Sequence, residues 1–457
     1  MLKRFTNACV KLVDKYLPDP FLFAIVLTVV CYVLAVVFTG NSPLDVLAAW
    51  GDFKNGIWNL LKFSMQTSMI VVFGSALAKT KAFTKLINKV ASYATTNTKA
   101  IIIITVFSGI ISWLNYGLGL ICGALLGKAI AKQLRTIDYR LLIASAYSGF
   151  VIWHQGLSGS IPLTISTGFD VEGLGTIQAD ITSTIFHPAN ILIVVVTIAV
   201  LCVVNVAMQP DKDHLVTVDP ALLKDEEEKV YEINTPADKL EHSKVMWALT
   251  CILGWAYIIY YFGSYAASGK GILNGLGRDS VNLVLLFTGI LLHGDLRRYV
   301  DAIKDSVSSV AGVILQYPFY AGIMAIMVVA DANGASLASI ISNFFASISN
   351  KVTFPMFAFW SAGIVNFLVP SGGGQWSVQA PVMMGAARQL GVADSVAAMG
   401  IALGDQWTNM IQPFWALPAL AVANLRAKDI MGFMCVVTIA TGIVFTFGIL
   451  LWAWMVA

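Results

Sequence analysis

The chain has 457 residues, of which 57% are hydrophobic and only 12% are charged. Soluble domains contain about 25% charged residues, so this composition excludes an ordinary soluble protein and indicates a polytopic membrane protein. The net charge of +3 is too small to indicate a nucleic-acid partner. The lipid bilayer is therefore the first partner that we expect.

Uncharged runs divide the chain into two similar halves. In chain order, we predict a cytoplasmic amphipathic segment at 1–20, a first transmembrane repeat at 21–208, a cytoplasmic polar linker at 209–244, a connecting span at 245–263 and a second transmembrane repeat at 280–457. Each repeat contains one re-entrant hairpin, at 100–130 or 352–388, and one interrupted transmembrane helix. The expected fold is an all-α polytopic membrane protein with about nine spans plus two hairpins.

The second repeat is predicted to be inverted relative to the first. Gln66 matches Gln316, Asn115 matches Asn366, and two later pairs, Trp153 with Trp407 and Pro162 with Pro418, follow in the same order. Five spans precede the second repeat, so it begins on the opposite side of the membrane. With a cytoplasmic N-terminus, the loops rich in Lys and Arg all lie inside, as the positive-inside rule requires.

The second hairpin carries the clearest candidate site. Its centre, Asn366–Gln375, contains Pro370 and three consecutive glycines, each of which costs about 1 kcal/mol in a helix interior. We therefore predict an irregular tip at membrane depth. Free N–H groups along Ser371-Gly372-Gly373-Gly374-Gln375 would form an anion nest that suits a small carboxylate. A glycine-rich bend that only lets helices pack is the alternative.

Asp405 is the only acidic residue in 395–425, a helix that is predicted to be interrupted near Pro413. An ionised side chain at bilayer depth costs about 2.5–3.5 kcal/mol, so we predict that Asp405 couples transport to an ion. It would bind a proton, or would hold Na⁺ together with Thr408 and Asn409. A structural carboxylate that is hydrogen-bonded to its neighbours is the alternative.

His154 occupies the equivalent break in the first repeat, next to Gln155. Because free histidine titrates near neutral pH, His154 is predicted to bond the substrate or to relay protons. A hydrogen-bonded core histidine is the alternative. Further substrate contacts are predicted at the two hairpin tips, from Asn115, Tyr116, Gly117, Gln155, Asn366 and Trp376. For the two asparagines, helix capping or packing is the alternative role.

Three motifs resemble those of a known family. Val369-Pro370-Ser371-Gly372-Gly373-Gly374-Gln375-Trp376, the run from Gly404 to Pro413, and Tyr16-Leu17-Pro18-Asp19-Pro20-Phe21 are similar to the AtoE-type short-chain fatty acid transporters. The resemblance covers nearly the whole chain. It implies uptake of monocarboxylates such as butyrate or acetoacetate across the bacterial inner membrane, by symport with H⁺ or Na⁺. Through the related anaerobic C4-dicarboxylate carriers of the ion transporter superfamily, it also implies a homodimer.

Other functions stay open at this point. A carrier for a dicarboxylate or an amino acid is the main alternative, and an ion or solute channel is a weaker one. An enzyme is not expected, because neither a phosphate-binding loop nor a catalytic set is visible, and no cofactor is expected. Neither hairpin tip contains an obvious arginine that could pair with a carboxylate, so we expect binding to rely on helix dipoles and a co-transported ion.

Overall fold

The computed structural model describes residues 20–171, 173–210, 215–218, 231–269, 271–366 and 369–457. The amphipathic segment predicted at 1–20 therefore lies outside the described residues except for its last position. Only parts of the predicted linker at 209–244 are described. Besides helices, the described residues form one antiparallel sheet of two strands, β1 (Phe169–Val171) and β2 (Gly175–Ile177).

Twenty α-helices lie in these residues. Those of the first half are α1 (Pro20–Phe38), α2 (Pro43–Gly51), α3 (Leu61–Ala78), α4 (Lys81–Ala91), α5 (Asn97–Leu114), α6 (Tyr116–Gln133), α7 (Tyr139–Ser148), α8 (Ser160–Ser166) and α9 (Pro188–Ala207). Those of the second half are α10 (Pro236–Glu241), α11 (Lys244–Ala267), α12 (Arg278–His293), α13 (Leu296–Val307), α14 (Ala311–Val328), α15 (Leu337–Ile348), α16 (Phe354–Val365), α17 (Gly372–Gln389), α18 (Asp394–Thr408), α19 (Pro413–Ala423) and α20 (Ala427–Val456).

Six segments in the described part of the chain are long and apolar enough to cross a membrane. They are α3, α5, α9, α14, α20 and Pro236–Ala267, which contains α11. The outer face of α11 is typical of a lipid-facing helix, because Leu253 and Tyr260 are 73% and 72% exposed. An all-α multi-pass membrane protein is therefore confirmed, whereas the number of spans stays a prediction.

The helices α3 to α9 and α14 to α20 follow one another in the same order. In each set a long apolar helix comes first, a short helix and a helix pair follow, and an interrupted helix precedes the last span. This succession is what an internal repeat requires. The inverted orientation of the second copy stays a prediction.

Both interrupted helices break in the same way. A 3-10 turn, Gly149–Gln155, follows α7, and a second, Asn409–Ile411, follows α18. The helix then resumes at a segment with a proline in its first turn, Pro162 in α8 and Pro413 in α19. Proline has no N–H to donate and is favoured in the first turn of a helix, where that N–H would have no partner, so each proline favours a helix start at this place.

The tip of the second hairpin is more regular than the sequence predicts. Gly372, Gly373 and Gly374 form the first turn of α17, so the break between α16 and α17 ends at Ser371. Glycine is unfavourable in helices only for lack of packing and for its entropy. Here the absence of side chains lets the helix begin against neighbouring rings, and this packing explains why the predicted irregular structure does not extend to Gln375.

The first hairpin consists of two helices that pack against each other, α5 and α6. Each has 18 residues and is therefore about 27 Å long. Asn115 separates them with an extended backbone at φ −156° and ψ 122°. The break at Asn115 agrees with the predicted tip, and whether the pair turns back inside the membrane stays a prediction.

Candidate functional site

Two ionisable side chains meet at the crossing of the interrupted helices. His154 ends the 3-10 turn after α7, and Asp405 lies near the end of α18. His154 Nδ1 is 2.9 Å from Asp405 Oδ2, and both side chains are fully buried. His154 and Asp405, which we predicted to lie in equivalent breaks of the two repeats, are thus direct partners. We call these two residues the central pair.

The hydrogen bonds of the central pair indicate where its protons are. The Ile161 N–H donates to His154 Nε2 at 3.0 Å, so Nε2 carries no proton. Nδ1 must then carry the proton and donate it to Asp405, and the imidazole is neutral. With Asp405 ionised, the pair holds one negative charge in a buried position, which is unfavourable without a counter-charge.

One carboxyl oxygen of Asp405 makes no well-formed hydrogen bond. Oδ1 is buried, and the described group that interacts with this carboxylate besides His154 is the side chain of Asn409, one helical turn further on. The amide Nδ2 of Asn409 is likewise buried without a well-formed hydrogen bond. Such a carboxylate oxygen in a dry interior can accept a proton or coordinate a cation. This position is therefore where an added positive charge would be most strongly stabilised.

A pair of glutamines locks the two breaks together. Gln406 Nε2 donates to Gln155 Oε1 at 2.8 Å, and Gln406 Oε1 accepts the His154 N–H at 3.0 Å. Gln155 in turn donates to Asn190 of α9 at 2.8 Å. All these side chains are buried. Gln155, predicted to contact substrate, is instead a donor and acceptor in a network that fixes the position of His154.

The facing residues lie at a constant separation in the sequence. His154 and Asp405 are 251 positions apart, and so are Gln155 and Gln406. Pro162 lies 251 positions before Pro413, which favours that match over the predicted match with Pro418. In a molecule with a pseudo-two-fold axis, residues next to the axis face their own equivalents, which is the relation seen here.

The first turn of α17 packs directly against the central pair. A Cβ added at Gly372 would lie 2.5 Å from His154 Cε1, and one at Gly373 would lie 2.6 Å from Tyr317 Oη. A Cβ at Gly374 would lie 2.5 Å from Tyr320 Cδ2. These approaches are possible only for glycine. They bring the N-terminus of α17, with its positive dipole end and its unbonded N–H groups, to the histidine.

No described side chain caps this helix. Ser371 is at the N-cap position, but its hydroxyl makes no capping hydrogen bond. It lies instead 3.0 Å from the Tyr317 hydroxyl. The Tyr317 ring stacks on Phe63 at 5.8 Å, and the guanidinium of Arg278 is 4.3 Å from the Phe63 centroid. We call Ser371, Tyr317, Phe63 and Arg278 the tip cluster.

Sequence reasoning missed most of the tip cluster. Tyr317 and Phe63 lie inside apolar spans, where aromatic residues are commonly core residues. Arg278 begins α12, 93 positions before Ser371 in the sequence, so no motif connects them. The available signal was a charged pair, Arg278-Asp279, shortly before a short apolar run.

The first hairpin tip has satisfied its own polar groups. Asn115 Oδ1 accepts the Leu118 N–H at 2.8 Å, and the Tyr116 N–H donates to Ser158 Oγ at 2.9 Å. A Cβ at Gly117 would lie 3.1 Å from the carbonyl oxygen of Val71. Helix capping, the alternative for Asn115, is therefore the role that the geometry supports. The tip reaches the central pair only indirectly, through the ring contact of Tyr116 with Trp153 at 4.8 Å.

Asn366 joins the residues predicted for ion coupling. Its Nδ2 donates to Thr408 Oγ1 at 2.9 Å and to Asn409 Oδ1 at 2.7 Å. Its own Oδ1 is buried without a partner in the described part of the chain. Across the same described ranges, no three His, Cys, Asp or Glu side chains cluster as a metal site. A Na⁺ here would therefore depend on amide and hydroxyl oxygens beside Asp405.

Gln375 and Trp376 lie apart from the central pair. Gln375 Nε2 donates to the carbonyl of Ala362 in α16 at 2.8 Å. The Trp376 ring packs on Phe169 of β1 at 5.8 Å. Both contacts hold α17 against its neighbours. The predicted substrate site is therefore brought together only in part, with Ser371 and the three glycines at its centre.

Comparison with known proteins identifies the family of this chain. The sequence pattern of the short chain fatty acid transporter family matches residues 1–452. An Escherichia coli K12 protein is 37% identical over 455 residues, covering 99% of this chain and 100% of that protein, and carries the name "Putative short-chain fatty acid transporter". A Haemophilus influenzae Rd protein of the same name is 38% identical over 461 residues, covering 98% of this chain and 99% of that protein.

A solved structure shares the fold. The crystal structure of the YdaH transporter of Alcanivorax borkumensis matches with a TM-score of 0.58 at 15% identity, covering 96% of this chain and 99% of that one. At this identity the likeness concerns the fold alone. The assignment depends on the whole-length family match and the two relatives: this chain is a multi-pass membrane protein that belongs to the short-chain fatty acid transporter family.

Proposed function

We propose that this transporter is a secondary active carrier that takes up short-chain monocarboxylates, such as butyrate or acetoacetate, by symport with H⁺. The observation that carries the proposal is the buried Asp405–His154 pair, which lies directly beside the uncapped N-terminus of α17. The pair can take up one positive charge, and the helix end can take up one negative charge. A monocarboxylate and a proton meet both needs.

The substrate site is the tip of the second hairpin. The N–H groups of the first turn of α17 have no acceptors within the helix, and the positive end of the helix dipole favours an anion there. Ser371 adds a hydroxyl donor. The first tip supports this site from behind: Tyr116 packs on Trp153, whose ring stacks on His154 at 4.2 Å. Asn115 and Gly117 fix the position of that tip.

Proton coupling follows from the arrangement of donors in the central pair. A proton cannot bind His154 Nε2 without breaking its hydrogen bond with the Ile161 N–H. Asp405 Oδ1 accepts it instead, since that oxygen makes no well-formed hydrogen bond in the described chain. Protonation removes the buried negative charge beside the site. It thereby favours carboxylate binding next to His154, which is the thermodynamic linkage that symport requires.

Sodium is the second candidate for the coupling ion. Asp405 Oδ1 and Asn366 Oδ1 are both buried oxygens that make no well-formed hydrogen bond among the described residues. Both lie next to Asn409, whose Oδ1 accepts a hydrogen bond from Asn366. With Thr408 Oγ1, these atoms would offer Na⁺ the oxygen ligands that hard cations prefer. We favour H⁺ over Na⁺ as the coupling ion, because the direct partner of Asp405 is a neutral histidine.

The repeat supplies the means of alternating access. Facing residues at a separation of 251 support two halves related by a pseudo-two-fold axis, with the site at their junction. An inverted second half would let each half open to one side of the membrane. The inner membrane, a cytoplasmic N-terminus and a homodimer stay predictions of the sequence and of the family resemblance.

Uptake of labelled butyrate into proteoliposomes tests the proposal. A proton gradient and a Na⁺ gradient are imposed separately, and unlabelled acetate, succinate and alanine serve as competitors. We expect accumulation under the proton gradient and competition by acetate alone. Accumulation driven only by Na⁺ would show that the coupling ion is Na⁺ rather than H⁺. Competition by succinate or alanine would show that the carrier also accepts dicarboxylates or amino acids. Flux without accumulation would indicate a channel.

A further inference from the structure

Arg278 is a half-buried cation beside the carboxylate of Asp279, and two of its donor atoms are buried without a hydrogen-bond partner. It is the first residue of α12, and its Nε and Nη1 atoms are buried with no hydrogen bond to any described residue. Its side chain also forms no ion pair in those parts of the chain. Guanidinium N–H groups that are removed from water without acceptors are strongly unfavourable. A partner outside the chain is the simplest compensation.

The contacts of Arg278 leave its donors unused. Its guanidinium carbon lies 4.3 Å from the centroid of the Phe63 ring, a cation–π contact that positions the group without supplying an oxygen acceptor. The adjacent acid, Asp279, accepts a hydrogen bond from Gln66. Arg278 is therefore positioned by one ring, while its planar fork of donors stays available.

Arg278 adjoins the tip of the second hairpin through the Phe63 ring. Phe63 stacks on Tyr317, and the Tyr317 hydroxyl contacts Ser371 at 3.0 Å. A Cβ at Gly373 would lie 2.3 Å from Phe63 Cε1, so the ring that holds Arg278 also touches the first turn of α17. A cation, two hydroxyls and a helix N-terminus thus surround one aromatic pair.

The residues directly before Arg278 pack against the first repeat. A Cβ at Gly277 would lie 2.7 Å from Thr167 Cγ2, and Ser166 Oγ donates to the Leu276 carbonyl at 3.2 Å. Ser166 ends α8, the helix that resumes after the break at His154. Arg278 is therefore held in register with the central pair, as a binding residue requires.

We propose that Arg278 binds the carboxylate of the substrate, with Ser371 and Tyr317 as additional donors and the Phe63 and Tyr317 rings against the alkyl chain. The inference rests on the proposed function and specifies the residue that recognises the substrate class. A guanidinium pairs with a carboxylate through two parallel hydrogen bonds, which lysine cannot form. It also supplies, from a separate helix, the arginine that both hairpin tips lack.

Equilibrium binding of labelled butyrate to the purified protein in detergent tests the inference. The test variants are Arg278→Gln and Arg278→Lys. The control is Arg135→Gln, which removes the same charge at an exposed position. Loss of a charged hydrogen bond weakens binding by about tenfold or more, so we expect that increase in Kd for Arg278→Gln. We expect a smaller increase for Arg278→Lys and none for Arg135→Gln.

Two further measurements separate binding from structural roles. Wild type should discriminate against butyramide, the neutral isostere, and Arg278→Gln should lose this discrimination. The melting temperature without ligand should not fall in Arg278→Gln, because the removed donors have no partner in the described chain. A lower melting temperature with unchanged butyrate affinity would assign Arg278 to packing on Phe63 and overturn the inference.

The remaining outcomes are also decisive. If wild type binds butyrate and Arg278→Gln binds it equally well, the inference fails and the proposed function stands. If wild type binds neither butyrate nor another short-chain monocarboxylate, the proposed function fails and the inference fails with it. Affinity that is lost in Arg278→Gln and partly kept in Arg278→Lys supports both.

Discussion

The two hairpin tips differ in how their polar groups are satisfied. At the first tip, Asn115 caps α6 and Ser158 accepts the next free N–H group. At the second tip, Ser371 leaves α17 uncapped by any described side chain, and Arg278 keeps buried donors without partners. A tip that satisfies itself stabilises the fold. We propose that bound substrate completes the second tip, because buried donors without acceptors are unfavourable.

The largest expected effect tests the close packing of the second tip. In Gly373→Ala, the added Cβ would lie 2.3 Å from Phe63 and 2.6 Å from the Tyr317 hydroxyl. Overpacking of this kind costs about 1–3 kcal/mol, so we expect butyrate uptake to fall about tenfold or more. Initial uptake rates in proteoliposomes, corrected for the amount of folded protein, measure the effect.

A matched glycine serves as the control for that change. Gly263 lies in α11, and an added Cβ there would meet no atom within 4 Å. Gly263→Ala should leave uptake unchanged and stabilise the helix slightly, since alanine is the better helix former. Equal uptake by both variants would show that the close approach at Gly373 is not needed for transport.

A smaller effect is expected from the hydroxyl at the second tip. Ser371→Ala removes the group that contacts Tyr317 but leaves no capping bond broken. The loss of one neutral hydrogen bond to the substrate should raise KM by about threefold to tenfold. The melting temperature should change little. A large drop in melting temperature with unchanged KM would show that Ser371 stabilises the fold, as Asn115 does at the first tip, and does not bind substrate.

The smallest effect on transport is expected at the first tip. Asn115→Ala removes the N-cap of α6, which should lower the free energy of unfolding by about 1 kcal/mol. KM for butyrate should not change, because Asn115 acts within its own repeat. The two parameters come from thermal unfolding and from uptake at varied butyrate concentration. A rise in KM without loss of stability would contradict the contrast between the tips.

Much of the fold is predictable from the sequence, for physical reasons. Uncharged runs locate the apolar helices, and Pro162 and Pro413 locate the breaks, since each acts through local backbone chemistry. The central pair is foreseeable in part, because an ionisable residue in each break suggests that the breaks face each other. His154 and Asp405 are indeed in contact.

The tip cluster is not predictable in the same way. The alignment of Arg278, Phe63 and Ser371 depends on three helices that are distant in the sequence, so no spacing rule applies. The glycines are a second example. Their low helix propensity predicts a bend, but tertiary packing against His154 and Tyr317 overrides that preference and makes them the first turn of α17.

The most direct measurement of the central claim compares accumulation with exchange in Asp405→Asn. Proteoliposomes are loaded with unlabelled butyrate and tested for counterflow, then tested without it under an imposed proton gradient. The account predicts that counterflow persists, because the tip still binds substrate, and that proton-driven accumulation above the outside concentration is lost. Accumulation at the wild-type level in Asp405→Asn would contradict the role of the central pair in coupling.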